Sequence, residues 1–329
     1  MPTIAHRLMI GATALLAMAT TNAVFAQEFP TRPITIVVPF VAGGGIDVGS
    51  RLLASRMSEL LGQAVVVDNV GGGGGMIGGK RVADAKPDGY TILAGNVGTQ
   101  AYTQVLYKRP LYNSVTDFDP LLLATDSARV LVARKDLPVD GLQEFIAYVK
   151  ANQSKMQFGS AGVGSATHLP CVLLNQVMGV DVVHLPFRGS GLVMNELLGG
   201  RVDYMCDSIQ TAATQIKGGT VKAIAIMAEK RSPILPDVRT TGEQGLQGVE
   251  AGAWNAYFLP KGTPPAIVAK LNKAISDALD TQTVKKRLEE LGADIVPAEQ
   301  RTPEYLAKLL PAEVERWAKP IKAAKISID

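Results

Sequence analysis

The sequence predicts an α/β protein of two lobes, joined by a hinge and separated by a cleft. The length of 329 residues suits about two domains, at roughly 150 residues each. Apolar strand-like runs alternate with helix-like segments, a pattern that favours parallel strands joined by right-handed crossover helices. The alternation occurs in two sets of about 100 residues each, which is an ordinary domain size, and a shorter third set forms the tail.

Composition narrows the class of protein. Hydrophobic residues make up 47% of the chain and charged residues 19%, so wholesale disorder is excluded. The 33 basic and 30 acidic residues leave a formal charge of only +3 without a basic block, so no nucleic-acid partner is expected. Two cysteines and 5% aromatic residues exclude a disulfide-built scaffold and an aromatic stacking platform.

The first 26 residues have the layout of a secretory signal peptide. Arg7 precedes an apolar stretch over residues 8–19, and small residues stand at positions −3 and −1 of a cleavage site after Ala26. The apolar stretch is shorter than the roughly 20 residues that span a bilayer, although a retained N-terminal anchor is the alternative. We therefore expect a mature chain exported to the periplasm. Diffusible cofactors such as NAD and ATP are scarce there, and no cofactor is expected.

The first set of elements follows from hydrophobic periodicity and glycine punctuation. Residues 34–40 form a continuous apolar run, which is typical of a strand buried on both faces. After a turn at residues 43–45, apolar residues recur at helical spacing up to Leu61, and Gly62 is a natural C-cap. In order, we predict strand 34–40, helix 46–61, strand 64–67, helix 77–85 and strand 90–93.

The same reasoning predicts a second set and a tail. The second set comprises strand 130–133, helix 142–151, strand 156–159, helix 166–178, strand 182–185, helix 192–198, strand 204–206 and strand 221–227. The tail comprises strand 254–259, helix 267–279 and helix 303–319. Packing of the tail on the first set makes the chain cross between lobes near residues 125–129 and 227–232. We therefore expect lobe 1 over residues 27–126 plus 230–329, and lobe 2 over residues 127–229.

Two glycine-rich turns predict where a ligand binds. Residues 40–47 and residues 160–168 each follow a strand and open a helix, the place where open α/β sheets hold their ligands. Free backbone N–H groups and the helix dipole favour an anion there. One such terminus on each lobe would grip a carboxylate from both sides, whereas the alternative is that both runs are plain turns.

Other motifs in the sequence give weaker evidence for a function. Gly73-x-Gly75-x-x-Gly78 matches the dinucleotide fingerprint, but a five-glycine run produces that match by default. The mature chain retains only His168 and His184, too few for a multi-histidine metal site, so no metal is expected. No Gly-x-Ser-x-Gly elbow accompanies the serines near His168, and no catalytic residue is assigned. Two alternatives stay open for Cys171 and Cys206, a disulfide or two buried thiols.

The order and spacing of short motifs over nearly all the mature chain carry a resemblance. The stretches are residues 32–40 (RPITIVVPF), 43–47 (GGGID), 65–69 (VVVDN), 87–91 (PDGYT), 162–168 (GVGSATH), 184–189 (HLPFRG), 203–208 (DYMCDS), 230–233 (KRSP) and 236–238 (PDV). With them, the chain resembles the tripartite tricarboxylate transporter solute-binding receptors, the TctC or Bug family. The resemblance implies a type II-like periplasmic binding protein that closes about a hinge. Such a receptor captures small carboxylates, often dicarboxylates, for a membrane permease, and we expect a monomer.

The resemblance also places the ligand contacts. By that likeness they are expected at Phe40, Ala42, Gly43, Gly44, Asn96, Thr99, Gly162, Gly164, Ser165, Thr167, His168, Arg188, Gly189 and Asp207, and a separate hypothesis adds Arg129. Arg188 stands where the family commonly has Lys, and Arg129 where it more often has a neutral residue. We hypothesise that Arg129 meets a second carboxylate, because a guanidinium suits one; a surface or hinge salt bridge is the alternative. Asp207 either orients its loop or contacts an amino or hydroxyl group.

Two other functions fit the same sequence features. One is a periplasmic α/β enzyme acting on a carboxylated substrate, with His168 and Asp207 as acid or base. The other is a sensor subunit that passes the ligand state to a membrane partner. Stoichiometric binding with the ligand recovered intact would separate the receptor from the enzyme.

Overall fold

The computed structural model describes residues 29–323 and residue 327. The predicted signal peptide at residues 1–26 lies outside the described residues. In chain order the strands are β1 (Ile34–Val38), β2 (Val65–Asn69), β3 (Thr91–Asn96), β4 (Phe118–Asp126), β5 (Arg129–Arg134), β6 (Gln157–Ser160), β7 (Val183–Pro186), β8 (Tyr204–Ser208), β9 (Val221–Ile226), β10 (Asn255–Pro260) and β11 (Asp294–Ile295).

Helices follow most of these strands. In chain order they are α1 (Gly45–Leu61), α2 (Met76–Ala83), α3 (Thr103–Leu106), α4 (Leu142–Asn152), α5 (His168–Met178), α6 (Ser190–Leu198), α7 (Ile209–Lys217), α8 (Pro265–Asp280), α9 (Gln282–Glu290) and α10 (Pro303–Ala323). A π-helix, Gly98–Tyr102, leads directly into α3. None of the helices in the described ranges combines the length and the apolar character that crossing a membrane requires.

The strands form two sheets, each the centre of one lobe. The first lobe contains the six-stranded sheet in the order β11-β4-β10-β3-β1-β2, and the second contains the five-stranded sheet in the order β7-β6-β8-β5-β9. The chain passes from the first sheet to the second between β4 and β5, over residues 127–128, and returns between β9 and β10. The predicted two-lobed α/β fold is confirmed.

The apolar run at the start of the chain forms the expected interior strand. β1 pairs in parallel with both β2 and β3, as the alternation of strands and helices predicts. Ile34, Ile36, Val37 and Val38 are fully buried, because helices cover both faces of a strand in this position.

Both sheets are mixed. The expected parallel pairing is confirmed for β1 with β2 and β3 and for β6 with β7 and β8, but it is wrong for β5 and β10. β10 runs antiparallel to β3 and β4, and β5 runs antiparallel to β8 and β9. For β5 the reason is the short connection between β4 and β5. β5 follows β4 after two residues, so no crossover helix returns the chain to a parallel position. The strand enters the second lobe directly from the first.

The two cysteines form a disulfide, which settles the alternative left open by the sequence. Cys171 in α5 and Cys206 in β8 are bonded, with their Cα atoms 5.5 Å apart, at a separation of 35 residues. Both are fully buried in a core with Phe145, Phe158 and Tyr204. The bond ties a helix to the central strand of the second sheet, one residue before Asp207.

Removing this disulfide should destabilise the protein without changing its fold. The double substitution Cys171→Ala/Cys206→Ala is expected to lower the free energy of unfolding by about 2–4 kcal/mol, because the cross-link restricts the unfolded chain. Guanidinium unfolding of wild type and variant measures the difference. Dithiothreitol should destabilise the wild type and leave the variant unaffected. An unchanged wild-type midpoint in reductant, with free thiols verified, would contradict the expectation.

Candidate functional site

A cavity of about 40 Å³ lies between the two lobes, where strands end and helices begin. The first lobe contributes the β1–α1 turn, the end of β3 and the start of β10, through residues such as Phe40, Asn96 and Asn255. The second lobe contributes the turn before α5, together with Arg129 and Asp207. Seven of the residues expected at the ligand line this cavity. They are Phe40, Gly44, Asn96, Arg129, Ser165, Thr167 and Asp207.

The N-termini of four helices converge on the cavity. Its lining includes Gly45 at the start of α1, Thr167 just before α5, Ser190 at the start of α6 and Ser208 just before α7. None of these termini is capped by the side chain of its own N-cap residue. The positive ends of four helix dipoles, one from the first lobe and three from the second, therefore face one small space. This is the electrostatic setting of an anion site.

Arg129 supplies the positive side chain of the site. It is the first residue of β5 and is only 3% exposed. Its Nε has no hydrogen-bond partner among the described residues. Burial lowers the pKa of the guanidinium, while Tyr102, Asp207 and Asp126 act in the opposite direction. A buried guanidinium with a free N–H calls for an acceptor.

Asp207, near the end of β8, supplies the negative side chain. It is fully buried, and its Oδ1 accepts a hydrogen bond from the Ser208 backbone N–H at 2.8 Å. Its Oδ2 has no partner in the described part of the chain. Burial raises the pKa of this carboxyl to about 7, against the lowering effects of the Ser208 amide, the Arg129 charge and the Ser190 hydroxyl. Among the described residues that line the cavity, only Arg129 and Asp207 are charged.

The other expected contacts lie outside the cavity lining. They are Ala42, Gly43, Thr99, Gly162, Gly164, His168, Arg188 and Gly189. Several of them belong to the contact between the lobes. Val41 N donates to Arg188 O at 3.1 Å, and a Cβ on Gly189 would lie 2.7 Å from the Val41 side chain. A Cβ on Gly162 would lie 3.0 Å from the backbone of Gly74.

The glycines of this contact let two backbones approach closely. A Cβ on Gly74 would lie 2.1 Å from Val163 O, and one on Gly98 would lie 2.3 Å from Ala166 N. Gly45 N donates to Thr211 Oγ1 at 3.0 Å, which joins α1 of the first lobe to α7 of the second. The two lobes are therefore in direct contact beside the cavity.

Both histidines are neutral parts of the second lobe. His168 and His184 have ring centroids 4.3 Å apart, and Phe158 stacks on both rings. The Nδ1 atom of His168 accepts from Gly164 N at 3.2 Å, and His184 Nε2 lies 2.7 Å from Ser160 Oγ. Burial lowers the pKa of His168 to about 3 and that of His184 to about 4. His168 thus fixes the glycine turn before α5.

Sequence reasoning missed part of the lining. Ser190, Ser208, Gln210 and Asn255 line the cavity but were not expected there. Ser190 directly follows the motif at residues 184–189, so extending that motif by one residue would have found it. Ser208 is the last residue of the motif at residues 203–208 and follows the expected contact Asp207. Gln210 lies in α7, a helix that the hydrophobic pattern did not predict.

Three comparisons place this site and fold among known proteins. A family model described as "Tripartite tricarboxylate transporter family receptor" matches residues 50–326. A curated protein of Agrobacterium vitis, "UPF0065 protein in the TAR-I ttuE-ttuC' intergenic region", is 40% identical over 298 residues, covering 91% of this chain and 86% of the relative. The solved structure of the periplasmic binding protein BugD is 40% identical with a TM-score of 0.89, covering 91% of this chain and 99% of BugD.

A second solved structure contains a ligand. MatC from Rhodopseudomonas palustris, solved with bound malate, is 42% identical with a TM-score of 0.87, covering 89% of this chain and 100% of MatC. These matches confirm the resemblance carried by the short motifs. The chain belongs to the tripartite tricarboxylate transporter receptor family, and its fold is that of the two-lobed periplasmic binding proteins.

Proposed function

We propose that this protein is a periplasmic receptor that captures a small organic carboxylate, including dicarboxylates, and delivers it to the membrane subunits of a tripartite tricarboxylate transporter. The observation that carries the proposal is the convergence of four helix N-termini on one cavity between the lobes. Both lobes contribute to it, so a bound anion would hold them together. We also propose that the mature chain begins after Ala26 and acts as a monomer.

The magnitudes support binding of useful strength. Burying a carboxylate costs several kcal/mol. A helix N-terminus stabilises a bound anion by about 0.3–2 kcal/mol, and each charge-assisted hydrogen bond stabilises it by about 1.5–3 kcal/mol. Three or four such bonds, together with the helix N-termini, are of the size needed to offset the desolvation of a carboxylate.

The size of the cavity favours a small acid. Its volume is only about 40 Å³. The family relative MatC was solved with malate, a four-carbon dicarboxylate. For this chain we propose that one carboxylate lies at the helix N-termini and that a second group lies at Arg129.

Ligand-driven closure would work by population shift. Contacts from both lobes exist only in the closed form, so a ligand that uses both favours that form. We propose that lobe 1 comprises residues 27–126 plus 230–329, that lobe 2 comprises residues 127–229, and that the permease recognises the closed form. No cofactor and no catalytic step are required, and the neutral His168 outside the cavity lining gives the enzyme alternative no support.

A binding screen on the mature chain tests the proposal. We expect one or more small carboxylates to raise the melting temperature, because a ligand at 100 times its dissociation constant stabilises the fold by about 2.7 kcal/mol. Calorimetry should then give one site per chain, with the ligand recovered intact. The uncharged amide of each acid is the matched control and should give no shift. No response across mono-, di- and tricarboxylates, amino acids and aromatic acids would refute the proposal, and a changed product would favour an enzyme.

A further inference from the structure

The geometry points to a ligand with a hydrogen-bond donor, a hydroxyl or an ammonium group, beside the carboxylate that it offers to Arg129, and to Asp207 as the residue that selects for this donor. The inference deepens the proposed carboxylate capture and rests on it. It names the chemical class of the ligand as hydroxy- or amino-substituted acids, in preference to plain diacids of the same length.

The first step is the unused donor of Arg129. The side chain is 3% exposed, lines the cavity, and leaves Nε without a partner among the described residues. Buried donors in folded proteins are almost always paired, since an unpaired one loses its hydration without replacement. A partner from outside the chain can reach Arg129 through the cavity that it lines, and a carboxylate is the acceptor that a guanidinium binds most strongly.

The second step is the unused acceptor of Asp207. The Ser208 amide occupies Oδ1, whereas Oδ2 is buried and without a partner in the described ranges. An ionised carboxylate only accepts hydrogen bonds. Oδ2 can therefore accept a further donor. The Ser190 hydroxyl lies close enough to lower the pKa of this carboxyl, but Oδ2 and Arg129 Nε both remain unpaired among the residues that the structure describes.

The third step concerns the relative positions of Arg129 and Asp207. Arg129 and Asp207 lie at adjoining ends of the hydrogen-bonded neighbours β5 and β8, and both side chains line the same cavity. One ligand in this cavity can therefore reach both side chains. It must offer an acceptor to the first and a donor to the second. A carboxylate with an adjacent hydroxyl or ammonium group does both.

A plain diacid satisfies only half of this arrangement. Its second carboxylate offers acceptors alone, so Oδ2 is either left unpaired or must first take up a proton. The burial that raises the pKa of Asp207 to about 7 makes the proton available near neutral pH, but at pH 8 most of the carboxyl is ionised. The preference for donor-bearing acids should therefore be clearest at pH 8.

Matched acids with and without the donor test the inference by calorimetry at pH 8. Four-carbon acids give one series, succinate against malate and aspartate, and glutarate, 2-hydroxyglutarate and glutamate give the next. We expect at least one donor-bearing acid to bind about tenfold or more tightly than its plain analogue, the effect of one charge-assisted hydrogen bond. Asp207→Asn places an NH₂ group where Oδ2 stands and should abolish this preference. Arg129→Gln should weaken all the diacids together.

The outcomes separate this inference from the proposed function. Plain diacids that bind as tightly as their substituted analogues would overturn the inference and leave carboxylate capture standing. An equal loss for all acids in Asp207→Asn would assign Asp207 to loop orientation and overturn it as well. If that variant does not fold, as judged by circular dichroism, the wild-type ranking decides alone. Failure of every organic acid to bind would overturn both this inference and the proposed function.

Discussion

Alanine at position 98 is expected to lower ligand affinity by about a thousandfold or more, close to 4 kcal/mol, while both lobes stay folded. A Cβ on Gly98 would lie 2.3 Å from Ala166 N and 2.9 Å from Ser165 C, atoms of the opposite lobe. Both are backbone atoms, so no side-chain rotation relieves the overlap. Because Gly98 lies in a helical segment and its φ is not positive, alanine suits the local backbone. The substitution therefore blocks closure alone.

Calorimetry and small-angle X-ray scattering measure this effect together. Ligand should reduce the radius of gyration of the wild type and leave that of Gly98→Ala unchanged. Gly49→Ala in α1 is the matched control, since its Cβ would meet only the Leu288 side chain, at an ordinary 3.9 Å. Its affinity and compaction should equal those of the wild type. A Gly98→Ala protein that binds and compacts normally would show that capture does not require this closed contact.

Acidification from pH 6.5 to pH 4 is expected to remove about 6 kcal/mol of stability through the two histidines, roughly 3 kcal/mol from each. Burial lowers the pKa of His168 to about 3 and that of His184 to about 4, below the ordinary 6.5. Over this interval the unfolded chain binds more protons than the folded one. The free energy of unfolding from these two groups therefore falls as pH falls.

Asp207 acts in the opposite direction. Its folded pKa of about 7 lies above the ordinary value of 3.8, so the folded chain binds the extra proton between these values. Its contribution, at most about 4 kcal/mol, is lost as pH rises through 7. Because the effect of the two histidines opposes that of the one carboxyl, the free energy of unfolding should be greatest between about pH 6 and 7. Asp207→Asn should flatten the alkaline side of the peak and steepen the acid side.

Urea unfolding from pH 4 to 8 measures this profile, and histidine NMR gives a direct readout. In the mature chain neither His168 nor His184 should titrate between pH 8 and 5. A histidine resonance that titrates near pH 6.5 would contradict the assignment of both rings as buried and neutral. The Asp207→Asn variant, measured in the same buffers, is the control for the opposing carboxyl.

The strongest local patterns predicted the fold. The uninterrupted apolar run of β1 and the glycine C-cap of α1 lie within two residues of their predicted limits. β4 was missed because its sequence, FDPLLLATD, mixes acidic residues and a proline into the apolar run. α7, with the sequence IQTAATQIK, has too few large apolar residues for a clear helical period.

The candidate site, too, could be predicted only in part. The glycine turns before α1 and α5 could be predicted, because a strand followed by glycines and a helix is a local signal. The burial of Arg129 and Asp207, and the unpaired atom of each, could not be predicted. Those properties depend on β5 and β8 becoming neighbours and on the first lobe covering their ends. The close approach of Gly98 to Ala166 likewise exists only after both lobes have folded.

The Cys171–Cys206 bond has a practical consequence for studying this protein. Chain made in a reducing cytoplasm emerges with two thiols in the interior of the second lobe, whereas chain exported to an oxidising compartment acquires the cross-link. Preparations from the two sources are then different molecules with different resistance to heat and proteases. Cys206 directly precedes Asp207 along the chain. Ligand affinities of protein from the two sources should therefore be compared only after the thiol content of each preparation has been titrated.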